Sequence, residues 1–224
     1  MGMAVTAALG RWQLGRAAEK EALQAAIDAR GSQSVLDARS AAGLDAQLDL
    51  LHRRVEARGQ WVGERTVFLD NRQMNGRPGF FVVTPLRLEG EAGVLLVQRG
   101  WVPRNFEDRT RVPTIDTPAG SVVVQGRLAA PPSRLYEMGP AEAGTIRQNL
   151  DLAQFRAETG LPLAGLSIQQ TGPATDGLLR DWPQINTGVD KHYGYAFQWF
   201  GLCALMAILY VWFQIVRRFR GRRP

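Results

Sequence analysis

The chain has 224 residues with 27 Lys plus Arg against 21 Asp plus Glu, a net charge of +6 and a pI near 10.2. Arg217, Arg218, Arg220, Arg222 and Arg223 supply five of those positive charges at the C-terminus, so the remainder is close to neutral and shows no basic stripe suited to nucleic acid. The single cysteine, Cys203, excludes an intrachain disulfide and a thiol-based copper site, and the absence of Cys-x-x-Cys-His excludes covalent c-type haem.

Residues 1–9 are apolar and uncharged, too short to span a bilayer and without the basic lead of a signal peptide. They read as the closing turns of a first transmembrane helix whose beginning is missing, which predicts either a start codon assigned too far downstream or an authentic short form. Residues 14–30 are rich in Ala, Glu, Lys and Gln, with Leu14, Ala18 and Ala22 at helical spacing, and Gly31-Ser32 ends that helix. A second helical piece is expected at residues 45–52.

The period then changes. Strands are predicted at residues 54–61, 66–69, 80–85, 94–102, 122–128 and 166–170, with a helix at 150–159. Asn75-Gly76 and Pro78-Gly79 lie in one connection, and Gly90 and Gly93 in the next. Gly-containing joints between neighbouring strands predict antiparallel hairpins. The expected fold is therefore an α+β membrane protein whose main domain is a mostly antiparallel sheet or barrel with short helices.

From residue 192 to 216 no side chain is charged, and the apolar stretch at 195–216 is 22 residues. At 1.5 Å per residue this is about 33 Å of helix, enough for a hydrocarbon core of about 30 Å. Tyr193, Tyr195 and Trp199 flank one end and Tyr210, Trp212 and Phe213 the other, as an interfacial belt does, and the arginines beyond mark the cytoplasmic side. The expected organisation is the end of a first membrane helix (1–14), an extracytoplasmic domain (15–191), a transmembrane helix (192–216) and a cytoplasmic basic tail (217–224).

A search for catalytic signatures finds no Gly-x-Ser-x-Gly, Gly-x-x-x-x-Gly-Lys, Gly-x-Gly-x-x-Gly or His-Glu-x-x-His. His52 and His192 are the only histidines, too few for a multi-histidine metal site. His52, beside Arg53 and Arg54, is expected to be a solvated surface residue. These residues give no enzyme reading.

Three separated segments together resemble the Surfeit locus protein 1 family, membrane proteins that assist assembly of haem a-containing cytochrome c oxidases. The first is Leu9-Gly10-Arg11-Trp12-Gln13-Leu14-Gly15-Arg16. The second joins Asp70-Asn71-Arg72 and GFFVVTPL at 79–86 to Val97-Gln98-Arg99-Gly100-Trp101-Val102-Pro103. The third is Trp182-Pro183 followed by His192-x-x-Tyr195-Ala196-x-x-Trp199-Phe200. The resemblance implies two membrane helices around a periplasmic or intermembrane-space domain, an auxiliary role with oxidase subunit one and the haem a biosynthesis machinery as partners, and haem a as a transient cofactor.

On that footing His192 is the expected haem-iron ligand. His192, Tyr195, Ala196 and Trp199 follow i, i+3, i+4, i+7 spacing, and Tyr195 and Trp199 would add an aromatic wall. A hydrated interfacial anchor is the structural reading of the same histidine. Asp70, Asn71, Arg72, Arg99, Gly100 and Trp101 are either turn and core residues or a contact surface for an oxidase subunit; a turn at Asp70-Asn71-Arg72 and a glycine bulge at Gly100 are the structural expectations. Docking on an oxidase intermediate without any cofactor is the alternative function.

Overall fold

The computed structural model describes residues 1–42, 48–91, 93–108, 111–133, 135, 144–174, 176–182 and 188–220. The chain divides into two compact units, Met1–Ile27 with Gln184–Pro224, and Asp28–Pro183. Helix α1 (Gly2–Ser32) begins in the first and ends in the second. It runs unbroken through Gly10 and Gly15, because a lone glycine costs a helix only about 1 kcal/mol and alanine-rich sequence follows on both sides.

The second unit is one mixed sheet of eight strands. In chain order these are β1 (Leu36–Asp37), β2 (Arg54–Trp61), β3 (Val67–Met74), β4 (Arg77–Leu88), β5 (Val94–Pro103), β6 (Ser121–Ala129), β7 (Ile146–Arg147) and β8 (Leu163–Gln170). The spatial order is β1-β2-β6-β8-β5-β4-β3-β7, and the far end of β2 also pairs with β4. Short helices α2 (Arg39–Ala42) and α3 (Leu152–Thr159) accompany it. The Asp151 carboxylate caps α3 by accepting from Gln154 N–H at 3.0 Å, and Gly160, at φ 68°, closes it in the left-handed conformation.

Five of the pairings are antiparallel, but β1–β2, β3–β7 and β5–β8 are parallel, so the antiparallel expectation holds only in the main. A parallel partner needs a long crossover. The sixty or so residues between β5 and β8 provide one for the central pair.

Strand β5 is buried continuously from Val94 to Trp101 because both of its faces are covered. Leu95 and Val97 pack with Val55, Ala57, Leu128 and Ile168, whereas Val94 and Leu96 pack with Val67, Leu69, Val83 and Phe155. Burying each such side chain contributes about 1.5–3 kcal/mol.

The turn expected at Asp70-Asn71-Arg72 is instead an interior β-bulge. Leu69 pairs with Phe81 and Arg72 with Gly79, so β3 carries one extra residue there, and Asn71 sits at φ 58°. Asp70 Oδ1 accepts from Asn71 N–H at 2.6 Å, which is the local chemistry that made the segment resemble a turn. Both strands continue to Asn75-Gly76, at φ 52° and 74°, a two-residue hairpin turn; Pro78-Gly79 lies within β4. Of the helical piece expected at 45–52, residues 48–50 form a 3₁₀ turn and 45–47 lie outside the described residues.

Candidate functional site

In the first unit, α4 (Val189–Val211) continues through a π turn (Trp212–Val216) into α5 (Arg217–Arg220). The segment Val189–Gln214 is 26 residues, long and apolar enough to cross a membrane, and 6% of its most apolar window is buried. A core helix of a soluble domain would be mostly covered.

α1 lies antiparallel along α4 within this unit. Gly10 meets the ring of Phe200 so closely that an added Cβ would stand 2.8 Å from Phe200 Cζ, and Cys203 Sγ lies 3.5 Å from the carbonyl of Met3. Tyr193 donates to Glu21 at 2.8 Å. His192 Nδ1 lies 2.6 Å from Gln13 Oε1. An amide oxygen only accepts, so Nδ1 is the donor in this contact.

His192 and Ala196 belong to the seam against α1, with Ala196 buried, while Tyr195 is exposed and Trp199 half-buried. The four-residue face expected from spacing is thus divided by α1. Gln13 stood inside the first quoted segment, but its partner is 179 positions away and nothing local signals it. Replacing Met3 with Cys should yield a disulfide with Cys203 on mild oxidation. Adding Gly10→Val, which thrusts a side chain into Phe200, should sharply lower the yield on a non-reducing gel.

In the second unit the remaining motif residues converge. Trp101 Nε1 donates to the carbonyl of Arg72 at 2.9 Å, Arg72 lies 5.8 Å from the ring centroid of Phe81, and Phe81 meets Trp182 edge-on at 5.2 Å. Trp182 Nε1 donates to Gln170 O at 2.7 Å. Arg99 lies on the Trp61 ring at 4.6 Å and reaches Asp176, which also accepts from Arg180 at 2.6 Å. Trp101 and Leu179 pair through both backbone hydrogen bonds. Asp70 is ion-paired to Arg104.

The bulged residue is Arg99, because Val82 faces Gly100 and Val83 faces Gln98. Gly100 is required for another reason: a Cβ there would stand 2.7 Å from Leu178 Cβ and 2.8 Å from Leu179 O. Burial pushes the pKa of both Arg72 and Arg99 down, and Asp176 partly restores that of Arg99.

Arg72, Arg99, Gly100 and Trp101 are buried, so they do not form the expected contact surface for an oxidase subunit. Arg99, Gly100 and Trp101 bind segment 176–182 to the sheet, whereas Arg72 donates to Gln148 O at 3.0 Å. Asp70 is half-buried and Asn71 exposed. Pro183 lies outside the described residues. Asp176, Arg180, Trp61 and Arg104 were not singled out by sequence, since their partners are remote in the chain.

The sequence profile of the SURF1 family matches residues 1–204. A SURF1-like protein of Rickettsia bellii (strain RML369-C) is 25% identical over 208 residues, covering 90% of this chain and 83% of that protein. A SURF1-like protein of Drosophila melanogaster is 26% identical over 237 residues, covering 96% and 75%. Surfeit locus protein 1 of Arabidopsis thaliana is 32% identical over 118 residues, covering 48% of this chain and 33% of that protein. With the second motif segment and Trp182 drawn together in the sheet unit and an apolar helix following them in the chain, the profile match over most of its length shows that this chain belongs to the SURF1 family, known in general as oxidase assembly factors.

Proposed function

We propose that this chain helps to assemble a haem a-containing cytochrome c oxidase by holding haem a at the start of α4 and passing it to oxidase subunit one. In this reading the sheet domain is periplasmic and the C-terminus cytoplasmic. The observation that carries it is the His192–Gln13 hydrogen bond. Histidines that ligate metals commonly donate their other ring N–H to an acceptor, which fixes the tautomer and ring orientation, and Gln13 performs that task for Nδ1.

Haem a would supply an iron centre that accepts an imidazole nitrogen. His192 offers Nε2, and Gln13 orients it. Exposed Tyr195 and half-buried Trp199 offer apolar faces beside it. The arginines after α4 favour retention of that end in the cytoplasm.

Purified after co-expression with haem a biosynthesis, the wild-type chain should carry a haem a absorption spectrum. His192→Ala should abolish or shift it while membrane insertion persists, and Gln13→Ala should weaken haem affinity by about 10–100-fold. A wild-type chain that never carries pigment would overturn the haem reading in favour of docking without cofactor. An extracytoplasmic reporter should be active when fused at Ala129 and inactive after Pro224. Normal oxidase activity in a deletion strain would refute the assembly role.

A further inference from the structure

In the second unit, the end of α1, the start of β2 and the end of β6 gather Arg30, His52, Arg53, Arg54 and Arg127. Arg54 and Arg127 are direct cross-strand partners, an arrangement that like charges disfavour. Arg53 donates to Ser34 O at 3.2 Å, Arg54 to Gln33 O at 3.2 Å and Arg127 Nε to Gln169 Oε1 at 2.6 Å, all of them neutral acceptors. Among the described residues, no carboxylate lies within ion-pair distance of any of these four arginines. Arg53 Nε is buried without a partner.

His52 is not the solvated residue expected from sequence. It is half-buried at φ 72°, its N–H donates to Leu128 O at 2.8 Å, and burial followed by the charges of Arg127 and Arg30 holds its pKa below the ordinary value.

An open groove of about 770 Å³ adjoins this corner over the outer face of β1, β2 and β6, lined in part by Val35, Arg39, Arg54, Arg58, Gln125 and Thr171. Two of its acids are ion-paired, Asp37 with Arg39 and Glu56 with Arg58; Glu89, which accepts from the neutral Ser121 hydroxyl, keeps its charge at the opposite end of β2 from Arg54. The uncompensated charge at the Arg54 end is therefore positive. Val35 and Val123, the latter opposite Arg58, leave apolar surface exposed beside the cations.

We propose that this corner and groove bind an acidic peptide segment of a partner protein, with carboxylates pairing to Arg54 and Arg127. Charge complementarity selects the acid. The apolar spots give a peptide contacts that a free phosphate cannot use, and a groove is a shape that an extended chain can enter and a broad membrane surface cannot. The site is independent of whether His192 holds haem.

The test uses the full-length chain in neutral detergent with a labelled deca-glutamate peptide as probe. Arg54→Glu should weaken binding tenfold or more and Arg127→Gln severalfold, with far-UV circular dichroism unchanged. Arg77→Glu at the β3–β4 turn should change it less than twofold. In the wild type, bound peptide should raise the His52 pKa, followed by NMR of its imidazole protons. Absence of binding, equal loss in Arg77→Glu, an unmoved His52, displacement by equimolar phosphate, or preferential binding of phosphatidylserine vesicles would each overturn the proposal.

Discussion

Replacing Asp176 with Asn is expected to cost the protein about 3–5 kcal/mol, because it leaves buried charge without its partner. The carboxylate serves two cations at once. Arg180 Nη2 lies 2.6 Å away and Arg99 Nη2 3.4 Å away, and the side chains of the two arginines are 6% and 3% exposed. Arg99 has other support, from Asp116 O at 2.6 Å and Thr117 Oγ1 at 2.8 Å, but neither is an anion. An amide of the same shape keeps the packing and removes the charge. Urea unfolding of the detergent-solubilised chain, followed by tryptophan fluorescence, measures the loss. A change below about 1 kcal/mol, the range of exposed pairs, would mean that solvent already screens this network.

Trp101→Ala should be as severe, at about 3–5 kcal/mol, since truncating a large core aromatic leaves a cavity that its surroundings only partly fill. Trp101 is 1% exposed and packs with Met74, Trp182 and Phe81. Trp101→Phe retains much of the volume but leaves the Arg72 carbonyl without its indole donor, a loss of about 1–3 kcal/mol. The same unfolding experiment ranks the two variants. Equal losses would assign Trp101 a hydrogen-bonding role with little contribution from packing.

Periodicity located most of the regular structure because one face of most strands is buried. β2 occupies residues 54–61 as expected, with Val55, Ala57 and Gly59 turned inward. β3 and β4 proved longer than predicted, because Asp70, Asn71 and Arg72 carry turn-like composition into a bulged strand. β1 and β7 have two residues each, too few for any alternation. Hydropathy places arginine outside, and so it could not foretell that Arg72 and Arg99 are internal; their burial rests on carbonyls, rings and a carboxylate far along the chain. His192 and Tyr195 were identified, but the division of their face required the position of α1. Gln13 acquires meaning only through His192.

That last pairing sets an order of events during synthesis. Gln13 is made well before His192, 179 positions earlier in the chain. At about 5–20 residues per second, roughly ten to forty seconds separate them on the ribosome. Throughout that interval the whole sheet sequence emerges while the imidazole and its acceptor cannot meet. A chain interrupted anywhere before α4 therefore never assembles the oriented histidine, and that contact becomes a mark that synthesis has passed through the sheet domain into α4.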